Sequence, residues 1–407
     1  HRDLHSFPTR RSSDLFKETT LRLIDFDPRH LRRFDIILSV LVFGMMLCGM
    51  MVIWGVRGVE WSKAITAHHQ LVMIGMGAVV FLVCCFVDLK TLEWAAWGLY
   101  VICIGALAAL FFIGHSSGGA QAWLKIGSMT IQPAEFAKIV TVIVLASYLA
   151  NNRERLEHVS GLIGPALIVA PPFILTILHN DTGTALVFAP VFLVMVFMAG
   201  VPKRILVGFF VVFFLATLIA LPNLQDYQLK RISHVLGPRL SRPLISVLDR
   251  DPEKILADVQ DRTGSGWQSY QTRVALGSGQ IFGKGWRKGT QTQMRWLPSA
   301  DKDTVFASLS EQFGMLGCLI LAVGYMLIVY RGSRIALNAR DMFCSLMVMG
   351  LLTIFMVHII INVGMNVDLL PIIGVPLPFV SYGGSFLIAL SIMFGLIVNV
   401  GMRKFIY

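Results

Sequence analysis

Asp303 stands between a polar stretch and an apolar one. The segment Gly264–Gly317 is rich in Gly, Gln, Arg and Lys, in a chain whose other parts are apolar enough for lipid. Such a segment has to sit in water or line a cavity. Lys284, Arg287, Lys288 and Arg295 lead up to Asp303 with no acid before Asp301. A single carboxylate beside a cationic patch suits an inverting transfer, in which the carboxylate deprotonates a sugar hydroxyl while cations stabilise a departing phosphate. A retaining pair of carboxylates is not suggested. Three alternatives stand beside this: Asp301 as the rival base, Glu311 as a buried partner, and Asp303 as a helix N-cap.

Three further places could hold chemistry. In Trp123–Lys138, Pro133 suits the first turn of a helix, so Glu135 and Lys138 fall three apart on one face. Ionisable groups at the entrance of a membrane span are costly unless paired or functional. Asp181, in the run HNDTGTALVF, reads as a helix N-cap and is also a candidate for the same polar cavity. The segment Asn362–Ser385 carries Pro371, Pro376 and Pro378 with Gly374, Gly383 and Gly384, and cannot form a regular helix. Broken backbone at membrane depth is tolerated where it is buried in protein or lines a cavity.

The elements that position these residues follow from hydropathy. Of 407 residues, 55% are hydrophobic and 14% charged, against about 25% charged in soluble domains. The chain reads as an all-α integral membrane protein with about ten transmembrane helices: 36–56, 70–88, 94–114, 134–150, 161–178, 183–200, 204–221, 304–330, 342–365 and 383–402. Residues 1–15 read as a non-native or disordered tail, 16–35 as a cytoplasmic segment, and 36–407 as one polytopic domain. A large extracytoplasmic loop, 222–303, joins helices 7 and 8. The short loops on the side of the termini hold most of the Arg and Lys, which makes that side cytoplasmic. All the unusual residues then face outward. The six cysteines fall within or beside apolar runs, and neither a disulfide framework nor zinc spacing is present. The loop 222–303 carries thirteen basic and eight acidic residues; a basic surface at the membrane edge attracts phosphate head groups, whereas nucleic acid is not expected there. Walker A, Rossmann, HExxH and nucleophile-elbow signatures are absent.

Taken together, GAQAWLKIGSMTIQPAEFAK at 119–138, HNDTGTA at 179–185, SYQTRVALGSGQIFGKGW at 269–286, QTQMRWLPSADKDTVFASLSEQFG at 291–314 and LLPIIGVPLPFVSYGGS at 369–385 resemble the SEDS family of bacterial cell-shape and division proteins. The form GVPLPFVSYGG is more similar to the RodA branch than to the FtsW branch. The resemblance runs from about residue 30 to the C-terminus. It implies a multi-pass enzyme of the bacterial cytoplasmic membrane, a peptidoglycan glycosyltransferase that polymerises lipid II for cell elongation. A sugar hydroxyl would attack the donor's anomeric carbon and expel undecaprenyl pyrophosphate. The resemblance places the catalytic group at Asp303, Glu135 and Lys138. Gln132, Asp181, Arg273, Lys284, Arg287, Lys288, Arg295 and Ser381 are the expected substrate contacts. The implied partners are a class B penicillin-binding protein and membrane lipids. No protein-held metal is expected; a divalent cation such as Mg2+ is the one candidate cofactor. The chain departs from the family pattern at Ala122, Ala134, His179 and Asn180.

Other functions remain as alternatives: a flippase for lipid-linked precursors, a non-catalytic scaffold for the transpeptidase, or an FtsW-like division role. A flippase needs a polar path to both faces, and here the polar motifs share one face.

Overall fold

The computed structural model describes residues 33–57, 61–117, 120–127, 129–205 and 265–403, with scattered positions between 207 and 253. The elements in order are α1 (Ile36–Arg57), α2 (Trp61–Cys85), α3 (Leu89–Ile113), β1 (His115–Ser117), β2 (Ala120–Ile126), β3 (Met129–Ile131) and α4 (Pro133–Asn151), then α5 (Ile163–Leu178), α6 (Thr182–Leu186), α7 (Phe188–Met198), α8 (Ser265–Ser278), α9 (Thr290–Gln293), α10 (Val305–Leu337), α11 (Met342–Asn366) and α12 (Gly384–Met402). Among the described residues seven helices are long and apolar enough to cross a membrane, and two apolar helical stretches, His69–Cys85 and Thr182–Met198, are shorter. Most of the expected span 204–221 and of 222–264 lies outside the described residues.

The helix of the second span begins at Trp61, but its apolar stretch, His69–Cys85, starts where hydropathy places it. One expectation needs correction: the expected span 183–200 is two helices, interrupted at Val187. Between α3 and α4, where no span is expected, β1, β2 and β3 form an antiparallel sheet in that order, with His115 opposite Trp123 and Leu124 opposite Ile131. Strand alternation explains it. Ala122 is buried and Leu124 packs against Leu107, Leu110, Ala134 and Ala137 of α3 and α4, while Lys125 is exposed.

The helices sort by burial. In the best apolar windows of α4, α11 and α12, 78%, 72% and 83% of residues are inside the protein, against 22–44% for the other candidate spans. These three form the centre, and their polar residues are the ones hydropathy finds costly in lipid. Lipid-facing side chains such as Val101, Ile102 and Phe112 of α3 are exposed. The Pro-rich segment after α11 enters this centre. Phe379 packs among Tyr325, Phe355 and Phe394, and the Tyr325 hydroxyl donates to Pro378 O at 2.6 Å. Any side chain at Gly49 would collide with the backbone of Phe379 and Val380, so α1 can approach only with glycine there.

α10 is broken at Gly314, which has φ 67 and ψ −165. The loop 279–285 fills the break. Met315 and Leu316 donate to Gln280 O and Ile281 O, and Lys284 and Gly285 donate to the carbonyls of Glu311 and Gln312. All four bonds, at 2.9–3.0 Å, replace helix bonds that the break removes. A side chain on Gly314 would collide with Gly283 N and Ile281 O. The last part of the expected loop 222–303 is therefore ordered structure, with α8 packed on α10.

Candidate active site

α4 starts as its sequence dictates. Gln132 is the N-cap and Pro133 the first helical residue. That start sets Glu135 and Lys138 on the inward face, 3% and 2% exposed, with Lys138 Nζ 3.0 Å from Glu135 Oε1. Lys138 Nζ has a second partner 3.0 Å away, Nε2 of His358 on α11. His358 Nδ1 lies 2.8 Å from Ile354 O. A carbonyl only accepts, so Nδ1 carries the ring proton and Nε2 accepts from the Lys138 ammonium.

Beside this cluster, Asp181 caps α6, accepting from Thr184 N at 3.1 Å. Its other oxygen takes a 2.5 Å hydrogen bond from Gln132 Nε2. Asn180, just before it, has φ 60, a backbone that proline cannot adopt. Gly183 in α6 abuts the broken segment: a Cβ there would stand 2.6 Å from Ile373 O.

Asp303 stands just before α10 and is tied to α11. It is not a helix cap, because the N-cap of α10 is Thr304 and no side chain of its own closes that helix end. Asn366 of α11 does so instead, accepting from Ala307 N at 3.3 Å. Asn362 and Asn366 both donate to the Asp303 carbonyl, at 3.0 and 3.1 Å, and Asn362 also donates to Val375 O at 2.7 Å. The same amide group thus ties the Asp303 turn to the broken segment. The Asp303 carboxylate lies over Gly374, whose φ is +76 and where a Cβ would stand 3.7 Å from Oδ2. Ser381 completes the support: its buried hydroxyl donates to Lys302 O at 2.6 Å and accepts from Leu377 N at 2.7 Å, while Tyr382 N donates to Asp301 O at 2.7 Å.

Burial pushes the Asp303 carboxyl above the ordinary carboxylate range; Lys302 pulls it back and Asp301 adds to the rise. A carboxyl poised higher than usual is a better proton acceptor near neutrality. Lys138 is engaged by Glu135 and His358 and is not among the charges that act on Asp303. Lys302 is the cation that acts on Asp303.

Glu311 is not a partner of Asp303 either. Fully buried, it accepts from Gln291 N at 2.8 Å and Thr292 N at 3.0 Å, and pairs with Lys284 at 3.0 Å. It closes the N-terminus of α9, which takes Lys284 out of the expected phosphate patch. Arg273 pairs with Asp368 at 3.3 Å. Arg287 lies over the rings of Trp286 and Trp54, at 4.7 and 5.6 Å, on the α1 side. Lys288 and Arg295 are exposed and, among the described residues, pair with no carboxylate. The structure therefore brings together Gln132, Glu135, Lys138 and Asp181, while Asp303, with Ser381 behind its turn, is tied to this group through α11. The basic residues are dispersed over α8, α9 and the loop between them.

His358, Asn362, Asn366 and Gly374 belong to the site and were not singled out as site residues from sequence. The spacing of the first three, four residues apart in an otherwise apolar run, was the available signal. Among the described residues no three His, Cys, Asp or Glu side chains gather to hold a metal. A magnesium-type ion, which takes one or two carboxylates and completes its shell with substrate phosphates, would have the Asp303 carboxylate to bind.

Comparison with known proteins gives consistent results. A family model described as "Cell cycle protein" (FTSW_RODA_SPOVE) matches residues 32–405. The chain is 34% identical over 392 residues to the peptidoglycan glycosyltransferase MrdB of Escherichia coli K12, covering 95% of this chain and 96% of that protein. It is 29% identical over 377 residues to the stage V sporulation protein E of Bacillus subtilis, covering 90% and 96%. Among solved structures, a chain from a study of how a peptidoglycan synthase complex coordinates polymerization and crosslinking superposes with TM-score 0.75 at 26% identity, covering 92% of this chain and 99% of that one. The rod shape determining protein RodA of Thermus thermophilus superposes with TM-score 0.65 at 23% identity, covering 91% and 98%, and supports the fold.

Proposed function

The chain belongs to the FtsW/RodA/SpoVE family of cell cycle proteins, and from that premise we propose the reaction its site performs. It is a peptidoglycan glycosyltransferase, a membrane enzyme that polymerises lipid II into glycan strands for elongation of the cell wall. The observation that supports the mechanism is the state of Asp303: a half-buried carboxylate with a raised proton affinity, free of any capping duty, whose backbone is held by the same helix, α11, that engages Lys138 through His358.

In this reading Asp303 removes the proton from the acceptor's sugar hydroxyl as the hydroxyl oxygen bonds to the donor's anomeric carbon. The bond from that carbon to the pyrophosphate oxygen breaks, and undecaprenyl pyrophosphate leaves with the electron pair. Glu135 and Lys138 position the site and do not exchange the proton, because their charges are spent on each other and on His358. A divalent cation, where one takes part, would supply charge to the departing pyrophosphate. The site faces outward at the cytoplasmic membrane, with both termini inside. A class B penicillin-binding protein is the crosslinking partner.

The test is direct. Purified protein, with and without its transpeptidase partner, should convert labelled lipid II into glycan chains. Failure of both preparations, with precursor instead moved across a vesicle membrane, would turn the assignment to a flippase.

A further inference from the structure

Three buried polar residues of α11 form one line. His358, Asn362 and Asn366 are spaced by four, so they share a face, and each successive pair is separated by about 6 Å of helix rise. They are 1%, 0% and 1% exposed. Together they reach three parts of the site. His358 holds Lys138 of α4. Asn362 holds Asp303 O and Val375 O. Asn366 holds Asp303 O and the first turn of α10 through Ala307 N.

From this arrangement we propose that α11 sets the separation between the Lys138 ammonium and the backbone that carries Asp303, and that His358 is a positioning residue for the transfer. The inference rests on the glycosyltransferase reading above. Lys138 sits on a flexible four-carbon stem, and Glu135 on its own helix fixes it only relative to α4. The bond to His358 fixes it relative to α11, one turn from the amide that holds Asp303. The chemistry of the residue matters here. With its proton committed to Ile354 O, the ring is a neutral acceptor. It binds the ammonium without adding a second negative charge, so Glu135 and Lys138 remain a balanced pair in a low-dielectric interior. The ring also stacks on Phe386 of α12, centroids 5.0 Å apart, which locks its orientation to the third central helix.

The experiment uses the full chain with its transpeptidase partner and labelled lipid II. His358→Phe keeps a stacking ring and removes the acceptor. Its kcat should fall roughly 10–100-fold, the loss expected for one hydrogen bond to a charged group, with KM within about twofold of wild type. His358→Gln, which restores an acceptor, should recover kcat to within about threefold. A Phe variant with wild-type kcat overturns the role, as does a loss that appears wholly in KM. A Gln variant that melts like wild type yet is as slow as the Phe variant also overturns it. If the Phe variant does not fold, the Gln variant decides alone, by the same criteria of melting and kcat. Wild-type protein that makes no polymer overturns the reaction itself, and this role with it; wild-type activity with an unaffected Phe variant overturns this role alone.

Discussion

The side-chain amide of Asn362 donates to the main-chain carbonyl of Asp303 at 3.0 Å, so the residue read as the base is held by its backbone while its carboxylate is left uncommitted to that bond. Replacing the side chain at 303 leaves the anchoring carbonyl intact. Replacing Asn362 does the opposite: Asn362→Leu should leave Asp303 O and Val375 O buried with fewer donors, costing about 1–3 kcal/mol of stability. It should also slow polymerisation. Thermal unfolding in detergent and a lipid II assay on the same preparation check both parts.

Asp303→Asn should fold, insert and retain its contacts to α11, because Thr304, not Asp303, is the helix cap. It should lose polymerisation by about 10²–10⁴-fold, the usual contribution of a general base. Near wild-type polymer from this variant would move the base to Asp301.

The pH profile carries a sign. The base works deprotonated, so kcat should fall as pH drops through the folded pKa of Asp303. Burial raises that value, so the acid limb should lie above the ordinary aspartate value of about 3.9. An acid limb at or below that value in a rate–pH series would contradict the buried, uncapped state of this carboxylate.

Lys138→Met leaves Glu135 buried without its counter-charge, which should cost about 3–5 kcal/mol. Glu135→Leu/Lys138→Met removes both charges and should regain much of that stability while remaining slow in polymerisation. Melting curves on the single and double variants separate the two effects. Equal destabilisation in both would mean that packing, not charge balance, governs this cluster.

Gly314→Ala places a side chain at a backbone conformation nearly confined to glycine and against the docked loop. The strain alone should cost about 1–3 kcal/mol. Limited proteolysis should then cut within 279–285 sooner than in wild type. Unchanged melting and cleavage would show that the break tolerates a side chain.

Much of the site could be read from local rules. Gln132-Pro133 announces the start of α4, which puts Glu135 and Lys138 within reach of each other, and Asp181 before Thr182 announces a cap. Those are short-range relations, set by helix geometry alone. What escaped reading depends on distant chain. His358 is 220 residues from Lys138, and nothing near it hints at an ammonium. Glu311 was paired in expectation with Asp303, yet backbone N–H groups of Gln291 and Thr292 claim it, and main-chain donors leave no mark in a sequence. The strands β1–β3 are three to seven residues long, too short for alternation to stand out beside the long apolar runs. Gly314 looks like one small residue among several in an apolar run; its break exists because a preceding loop supplies the missing bonds.

That last point bears on how the chain is made. Before residues 280–285 dock, Met315 and Leu316 can donate to the carbonyls of Glu311 and Gln312, the ordinary helix pairing, so α10 can form unbroken without leaving these groups bare. Docking exchanges those two bonds for four. Biogenesis of this enzyme therefore has an order built into it: the eighth expected span can form as a straight helix first and open only when the earlier-made segment offers its own backbone.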